Sequence, residues 1–368
     1  MPQHADIILF GTGEFGARML FDLAATAREP VTVLVVGRSD ARLAWLRTAA
    51  NARAHLFNTP ARIITAVLPE FDEASVQALV RERQPKVVVQ SASLQTASVL
   101  RESATAWSQL VAQGGWSITA AFQSVLSVRI GRAVHAALPG CRYINCCFPD
   151  VANALIVASG VPVYSGVGNI GILSTAFAGA LGIADPRRLR MLAQYQQLNY
   201  WRKPAGERSS SGSVPRVWLD GVEMSHVGER LRDVMLSPQT AFDISCATGV
   251  PLILALVAGR EWFGHVPGPD GLPGGYPVRV DASGNLHLDL PPGLSREEAI
   301  AWNLAFEERN GLVVDGQGNA RYTGVLHKLL QDADPVVAAG FKAGEVEAAA
   351  TRLAALRDRL QSLPAAGS

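Results

Sequence analysis

Near its N-terminus the chain has a short apolar run, Ile7 to Phe10, followed by glycines spaced as G-x-G-x-x-G and then by a helical pattern. An apolar strand, a glycine turn and a helix in this order are typical of a dinucleotide-binding unit. There the first glycine permits a tight turn, the second lets the backbone approach a pyrophosphate, and the third lets the helix pack on the strand. The alternative is a glycine-rich turn without a ligand. The predicted cofactor-binding residues of the loop are Gly11, Thr12, Gly13, Glu14, Phe15 and Gly16.

Strand and helix patterns alternate through the first half of the chain, which predicts a parallel sheet with helices on both faces. The helix after the third strand has Asp72 as its predicted N-cap. The predicted strands are 7–10, 31–36, 62–67, 87–90, 116–119, 142–146 and 162–164. The predicted helices are 14–26, 41–52, 73–82, 97–113 and 123–137.

The second half has a different character. Residues 276–280 with 286–290, and 312–314 with 320–322, alternate around turn residues and predict two hairpins. Ser295 and Glu298 form a predicted capping box, 206–214 is a predicted loop, and a final helix over 344–363 is expected to pack on its own chain.

These patterns together predict an α/β protein with an N-terminal Rossmann-type parallel sheet and a C-terminal α+β domain. The predicted units are a nucleotide-binding domain over 1–165, a substrate and oligomerisation domain over 166–340, and a C-terminal helix over 341–368.

The composition favours a small-molecule partner. The 368 residues include 33 basic and 32 acidic ones, for a net charge of +1, so no electrostatic footprint for nucleic acid or an anionic membrane is present. The stretch between Asp150 and Asp185 has no charge, but its glycines and Pro162 favour a buried strand and helix over a membrane span. The crowding of three of the four cysteines within 141–147 fits no disulfide framework. With a polar N-terminus, we expect a cytoplasmic protein that forms a homodimer.

The end of the second predicted strand indicates which cofactor is preferred. NAD-binding proteins usually have Asp or Glu there to bind the ribose 2′-hydroxyl. This chain has Arg38 and Ser39 instead, which could pair with a 2′-phosphate, while Asp40 is expected to cap the next helix. We therefore predict NADP(H), the alternative being that Arg38 is a solvated loop residue.

Small polar residues follow the fourth predicted strand, where the carboxyl end of a parallel strand borders the cofactor crevice. Ser91, Ala92 and Ser93 are predicted to lie beside the nicotinamide ribose. An ordinary small-residue turn is an equally good explanation of this stretch.

The first half of the chain resembles the saccharopine dehydrogenase-like NAD(P)-binding superfamily. The resemblance is carried by ILFGTGEFG, VLVVGRSDARL, RIITAVLPEFDEASVQALVRERQPKVVVQSAS and YINCCFPDVANALIVASGVPVYSGVGNIGIL, over residues 5–185. It implies a hydride-transfer enzyme or a relative of one, often acting on imines of amino acids. It transfers no catalytic residue.

Cys146 and Cys147 precede a predicted helix, where a thiol pKa can be depressed, so Cys147 is a candidate nucleophile. The segment faintly resembles the Asn-Pro-Gly-Cys-Tyr-Pro segment of N-acetyl-glutamyl-phosphate reductases, without its Pro-Gly. The alternative is that both cysteines are small buried residues.

Three further residues are candidates for binding or proton transfer. Asn169 follows a glycine turn and could bind a substrate carbonyl or carboxylate, or simply cap a helix. His265 and Tyr276 lie in the Gly- and Pro-rich segment 264–277, which is expected to be an irregular loop, and are candidate proton donors. Glu307 is expected on a solvated helix end, and no metal site is predicted.

The leading expectation is thus an NADP(H)-dependent oxidoreductase that reduces an imine or carbonyl of a small amino-acid-derived metabolite. A cysteine-dependent acyl reductase and a non-catalytic NADP-binding sensor remain alternatives.

Overall fold

The computed structural model describes residues 4–95, 105–209, 213–236 and 241–365. Its central sheet contains six strands: β1 Ile7–Phe10, β2 Val31–Gly37, β3 Ala61–Val67, β4 Val87–Gln90, β5 Arg142–Asn145 and β6 Ser165–Gly166. Their order is β3-β2-β1-β4-β5-β6 and every neighbouring pair is parallel. The order reverses between β1 and β4, as in a doubly wound Rossmann-type α/β fold.

Helices connect and surround these strands. The helices of the first half are α1 Glu14–Thr26, α2 Asp40–Leu56, α3 Glu73–Arg83, α4 Ala106–Gly114, α5 Ala120–Ala137, α6 Pro149–Ala158 and α7 Ile170–Ala180. Those of the second half are α8 Leu198–Arg202, α9 Val227–Arg230, α10 Ala241–Ala247, α11 Val250–Ala258, α12 Arg296–Arg309, α13 Gly324–Ala333, α14 Pro335–Ala338 and α15 Val346–Gln361.

Three small antiparallel sheets complete the second half. Their strands are β7 Leu189–Leu192, β8 Arg216–Leu219, β9 Val222–Glu223, β10 Trp262–Pro267, β11 Gly275–Val280, β12 Leu286–Leu288, β13 Leu312–Val314, β14 Asn319–Tyr322 and β15 Phe341–Lys342. They form the sheets β7-β8-β9, β10-β11-β12 and β13-β14-β15. Both predicted hairpins, β11–β12 and β13–β14, are confirmed.

Alternation along β1 explains how the sheet is covered on both faces. Ile8 and Phe10 belong to one buried cluster, whereas Ile7 and Leu9 belong to another, because successive side chains of a strand point to opposite faces. The first cluster includes residues of α5, β13 and α15, and the second includes residues of α1, α11 and β11. The final helix therefore packs on its own chain, as predicted. The proposed domain boundaries stay a prediction.

Local capping signals were reliable guides to helix starts. The Asp72 side chain accepts a hydrogen bond from the backbone N–H of Ser75 at the start of α3, and Ser295 and Glu298 form the predicted capping box of α12. For α2, however, the cap is Ser39 and not Asp40: the Ser39 side chain accepts from the N–H of Arg42, and Asp40 is the first helical residue. The reason is that only the residue before the first helical turn can cap it.

Three predicted segments differ from the structure. Residues 116–119 form a short 3₁₀ turn instead of a strand, and the strand predicted at 162–164 begins at Ser165. The segment 264–277 is irregular only in its middle, because its two ends belong to β10 and β11, which pair with Pro267 opposite Gly275. Of the predicted helix 97–113 and the loop 206–214, residues 97–104 and 210–212 lie outside the described residues.

No helix in the described part of the chain is both long and apolar enough to cross a membrane.

Candidate functional site

A cavity of about 360 Å³ opens at the carboxyl ends of β1, β4, β5 and β6. Gly13, Ser91, Cys147 and Asn169 each lie in its wall, one from the segment after each of these four strands. This is the position at which ligands bind in open parallel α/β sheets. The sheet order therefore gathers four segments that are far apart in the sequence around one cavity.

The glycine loop has the geometry that its sequence predicts. Gly11 has a φ of +111°, and a Cβ on it would lie 2.5 Å from Ser91 Oγ. A Cβ on Gly16 would lie 2.7 Å from the carbonyl oxygen of Gly11, so this glycine allows α1 to pack closely on the turn. A Cβ on Gly13 would meet no atom within 4 Å. Gly11 and Gly16 are thus required by the fold, whereas the space beside Gly13 is open to a ligand.

The N-terminus of α1 faces this open space without a side-chain cap. Free N–H groups and the positive end of the helix dipole make such a terminus suitable for a phosphate group. Glu14 and Phe15 of the first turn also line the cavity. The negative charge of Glu14 is paired with Arg18 at 2.7 Å, which reduces its repulsion of an anion.

The other side of the glycine loop is hydrogen-bonded to α2. Arg42 Nε donates a 3.2 Å hydrogen bond to the carbonyl oxygen of Thr12. A Cβ on Gly37 would lie 2.4 Å from Thr12 Cγ2, so the Thr12 side chain packs on the end of β2. Thr12 therefore positions the loop by packing on β2.

Arg38 and Ser39 lie at the exposed end of β2, next to the glycine loop but outside the cavity wall. The Arg38 side chain has no hydrogen bond or ion pair with the described residues. The Ser39 oxygen accepts from the Arg42 N–H at 3.3 Å, which leaves its own hydroxyl proton available to an anion. Both side chains can still bind a ligand at this edge.

The segment after β4 is held by its own hydrogen bonds. Ser91 Oγ donates to the Phe10 carbonyl at 2.8 Å, Ser93 Oγ donates to the Gln95 carbonyl at 2.8 Å, and the Ala92 N–H donates to Gln90 Oε1 at 2.8 Å. Ser91 and Ser93 line the cavity, whereas Ala92 is not in its wall.

Gln95 is a buried polar side chain whose amide is left unsatisfied by the described residues of this cavity. It lies in the wall and is 4% exposed, yet neither Nε2 nor Oε1 has a hydrogen-bond partner among the described residues. An unpaired buried amide is costly. A ligand that presents both a donor and an acceptor would satisfy it.

Cys146 and Cys147 also line the cavity, but their environment favours the thiol form. Burial raises the pKa of Cys147 to about 12 and that of Cys146 well above its usual value. The Cys147 thiol donates to the Ala92 carbonyl oxygen at 3.3 Å, and the Cys147 N–H donates to Asn145 Oδ1 at 3.0 Å. The second bond closes a tight turn before α6.

Asn169 is positioned by a buried carboxylate. Its Nδ2 donates to Asp150 Oδ2, and the Tyr195 N–H donates to Asp150 Oδ1 at 3.0 Å. Asp150 is 1% exposed, and burial raises its pKa to about 6. The backbone of Asn169 has a φ of +43° and a ψ of −98°, which lies outside the left-handed region that asparagine tolerates, so these bonds hold a constrained conformation.

A chain of hydroxyl groups runs from the cavity wall to a second buried carboxylate. Tyr195 lines the cavity, its hydroxyl lies 3.1 Å from Ser117 Oγ, and Ser117 donates to Glu307 Oε2 at 2.7 Å. Burial raises the pKa of Glu307 to about 7. Because Glu307 is only 2% exposed, the expectation of a solvated helix end was wrong. Glu307 lies on the side of α12 that faces the protein interior.

Besides Ser117, donors from two further segments hold Glu307. Gln194 Nε2 donates to Oε1 at 2.6 Å, Gln196 Nε2 donates to Oε1 at 3.3 Å, and the Leu312 N–H donates to Oε2 at 2.8 Å. No sequence motif indicates Tyr195 or Glu307 as functional residues. The run Gln194–Gln197, unusually rich in amides for a buried stretch, was the available signal.

His265 and Tyr276 lie elsewhere. Neither is in the wall of this cavity. His265 accepts a 3.1 Å hydrogen bond from the Met191 N–H, and Tyr276 is fully buried with its hydroxyl donating to the Pro273 carbonyl at 2.8 Å. The structure therefore does not bring these two candidates together with the glycine loop.

Among the described residues, no group of three or more His, Cys, Asp or Glu side chains is arranged to hold a metal ion.

Comparisons with known proteins identify no family. No family model matches the sequence, and no curated protein matches it.

Several solved structures have a similar fold at low identity. A lactate dehydrogenase from Eimeria maxima, solved with NADH and oxamate, is 14% identical, with a TM-score of 0.49 over 83% of this chain and 92% of that chain. A malate dehydrogenase from Cryptosporidium parvum is 13% identical, with a TM-score of 0.48 over 83% and 96% of the two chains. A lactate dehydrogenase from Cryptosporidium parvum, solved with lactic acid and nicotinamide adenine dinucleotide, is 13% identical, with a TM-score of 0.45 over 99% and 100%. Likenesses at this level carry no inference about family, cofactor or substrate.

Proposed function

We propose that this protein is an NADP(H)-dependent oxidoreductase that reduces an imine or carbonyl group of a small amino-acid-derived molecule. One observation carries the proposal: the open glycine loop and the polar groups after β4, β5 and β6 line one cavity. A nicotinamide cofactor and a small substrate would meet there, above the carboxyl ends of the strands.

The glycine loop fits the diphosphate of such a cofactor. Gly13 leaves room for the phosphates and the uncapped N-terminus of α1 supplies N–H donors. Ser91 and Ser93 would border the nicotinamide ribose. At the other end, Arg38 and Ser39 would bind the 2′-phosphate, Arg38 through its guanidinium and Ser39 through its hydroxyl proton. The absence of a carboxylate at positions 37–39 favours NADP(H) over NAD(H).

The bound cofactor supplies the hydride. The chain itself supplies the proton and the orientation of the substrate. Tyr195 is the candidate proton donor because it lines the cavity and its hydroxyl is linked through Ser117 to Glu307. A proton given up by Tyr195 can be replaced through Ser117 from Glu307, so a tyrosinate need not persist. The pKa of Glu307, about 7, suits a group that must hold and release a proton near neutral pH.

The substrate class follows from the remaining polar groups of the wall. Arg202 favours a substrate with a carboxylate, and its Nη1 also donates to Asn199 Oδ1 at 3.2 Å. The unsatisfied amide of Gln95 needs both a donor and an acceptor, which an amino or imino acid offers. One N–H of Asn169 is committed to Asp150, so its Oδ1 and second N–H remain for the substrate. An oxo or imino acid of this kind agrees with the saccharopine dehydrogenase-like resemblance.

The first test is a titration of NADPH and NADH against the wild type, Arg38→Ala and Arg47→Ala. Arg47 is a second exposed arginine farther along α2 and serves as the matched control. We expect NADPH to bind at least tenfold more tightly than NADH, and Arg38→Ala, but not Arg47→Ala, to remove most of the difference. If neither nucleotide binds, the glycine loop is structural only and the proposal fails.

The second test separates an enzyme from a sensor. NADPH oxidation would be followed with a panel of oxo acids and with the imines that they form with ammonia or amino acids. Turnover of any member supports the oxidoreductase. Tight NADPH binding without turnover across the panel would favour a non-catalytic sensor.

A further inference from the structure

A second cavity, of about 600 Å³, lies between α7, α10 and β10. It is separated from the first cavity by α10, since Ser245 lines the first whereas Ile244 and Ala247 line the second. No step of the proposed reaction uses it. His265, which the sequence singled out and the reaction does not employ, lies in its wall.

Most of this wall is apolar. Leu189, Ile244, Pro251, Trp262 and Phe263 supply aliphatic and aromatic surface. Apolar walls with few polar groups are typical of sites for small molecules, and the volume is within the range of such sites.

The hydroxyl groups of the wall are already engaged. Ser174 and Thr175 donate to the Gly171 carbonyl at 3.2 and 2.7 Å, and Thr248 donates to the Ser245 carbonyl at 2.9 Å. The carboxylate of Asp243, at the rim, is paired with Arg18. None of these groups has a proton to spare for a ligand.

His265 is different. Its side chain is nine-tenths buried, with an exposed fraction of 9%. Nε2 accepts a hydrogen bond from the Met191 N–H at 3.1 Å, so the neutral ring carries its proton on Nδ1. Burial and the nearby charge of Arg190 lower the pKa of His265 to about 3, so the ring stays neutral. Within the described part of the chain, Nδ1–H has no acceptor, and Nδ1 keeps some contact with solvent, which the open cavity provides.

We propose that this cavity binds a small, uncharged and largely apolar molecule, such as an aromatic ketone, ester or amide, that presents one acceptor oxygen to the Nδ1–H of His265. The Nδ1–H of His265 is open to the cavity and receives no acceptor from the described residues, so a ligand in this apolar cavity can take its proton as a hydrogen bond. An uncharged ligand is required because a charged one would lose its hydration without gaining an unpaired counter-charge.

The test uses two probes of nearly the same shape. Acetophenone carries a carbonyl oxygen, and isopropylbenzene carries a methyl group in its place. Binding to the full-length protein would be measured by ligand-observed NMR, with histidine labelled with ¹⁵N so that the Nδ1 resonance of His265 is followed directly. We expect acetophenone to bind about fivefold more tightly than isopropylbenzene and to shift that resonance.

Two variants test whether the preference for acetophenone depends on His265. His265→Gln places an amide oxygen near the Nε2 position, so it can still accept from Met191 but lacks the Nδ1–H, and we expect the preference for acetophenone to fall to about one. His287→Gln, at an exposed histidine of β12, is the matched control and should keep the preference. If His265→Gln does not fold, Ala247→Phe fills the cavity from α10 and should abolish binding of both probes.

Three results would overturn the proposal. These are equal binding of the two probes to the wild type, no saturable binding of either, and an unshifted His265 resonance at saturation. A fourth result, dimer formation that excludes acetophenone as the protein concentration rises, would also overturn it, because it would assign the cavity to a second copy of the chain. None of these measurements needs the cofactor, so they are independent of the proposed reaction.

Discussion

The hydroxyl group of Ser117 donates a 2.7 Å hydrogen bond to the buried carboxylate of Glu307, 190 residues farther along the chain. A serine hydroxyl has one proton, so while Glu307 is ionised the 3.1 Å contact between Ser117 and Tyr195 must have Tyr195 as donor. When Glu307 is protonated, both bonds can reverse. The arrangement thus connects the cavity wall to a buried carboxyl group that can hold and release a proton.

Tyr195→Phe should leave the fold and the cofactor site intact but interrupt this connection. For the substrate found in the panel, we expect kcat to fall by about 10²- to 10⁴-fold, the usual contribution of a positioned acid. The NADPH dissociation constant should change by less than about twofold, because Tyr195 is not among the residues of the proposed cofactor site. Steady-state kinetics and a binding titration on the same preparation provide the check. Undiminished kcat would mean that water supplies the proton.

Glu307 should make the free energy of unfolding depend on pH in an identifiable way. Burial raises its pKa from the usual 4.5 to about 7, so between these values the folded protein holds a proton that the unfolded chain has lost. Its contribution to stability is therefore fully present below about pH 4.5 and is lost as the pH rises toward 7. Asp150, raised to about 6, adds a loss of the same sign at slightly lower pH.

Urea unfolding of the wild type and Glu307→Gln at several pH values from 5 to 8 isolates this effect. The variant should be less steeply pH-dependent than the wild type over pH 5–7, and parallel to it above pH 7.5. Glu308→Gln is the matched control because Glu308 is the exposed neighbour on the same helix. Parallel curves for all three proteins over the whole range would show that Glu307 is not the titrating group.

Substitution by alanine should affect stability at Gly11 and NADPH binding at Gly13. Gly11→Ala forces a Cβ to within 2.5 Å of Ser91 Oγ at a φ of +111°, so we expect a destabilisation of about 1–3 kcal/mol. Gly13 has a φ of −66°, and its Cβ would meet nothing, so Gly13→Ala should alter stability by less than about 0.5 kcal/mol. It should nevertheless weaken NADPH binding by about tenfold or more, because the methyl group occupies the phosphate space. Thermal unfolding and titration of both variants test the pair. Unchanged NADPH affinity in Gly13→Ala would remove the loop from the binding site.

The sheet was predictable because its signals are local. β1, β4 and α1 have the predicted bounds, since an apolar run ending in glycines or before a cap specifies a strand and a helix within a few residues. The predicted strand at 116–119 failed because Ile118 and Thr119 favour a strand by composition, whereas Gly115 and the start of α5 impose a turn.

The candidate site was only partly predictable, for a physical reason. The glycine loop, Ser91 and Asn169 follow strands, so the sheet order alone places them at one edge. Tyr195, Ser117 and Glu307 come together through packing of the second half on the first, which no spacing in the sequence encodes. His265 and Tyr276 were favoured because a Gly- and Pro-rich segment suggested a loop at the active site. The pairing of β10 with β11 instead made that segment part of a sheet.

Chemical modification of Cys147 should distinguish the hydride-transfer interpretation from the acyl-reductase alternative. With its pKa raised to about 12, roughly 10⁻⁴ of this thiol is ionised at pH 8. We therefore expect iodoacetamide to label Cys147 at least about 100-fold more slowly in the folded protein than in urea. Peptide mass spectrometry would follow Cys147 separately from Cys141, Cys146 and Cys246, which are also free thiols.

The matched substitution Cys147→Ser should retain NADPH oxidation within about threefold, because the hydroxyl can make the bond that the thiol makes to the Ala92 carbonyl. Rapid labelling of Cys147 together with complete loss of turnover in Cys147→Ser would instead identify it as the nucleophile of an acyl reductase.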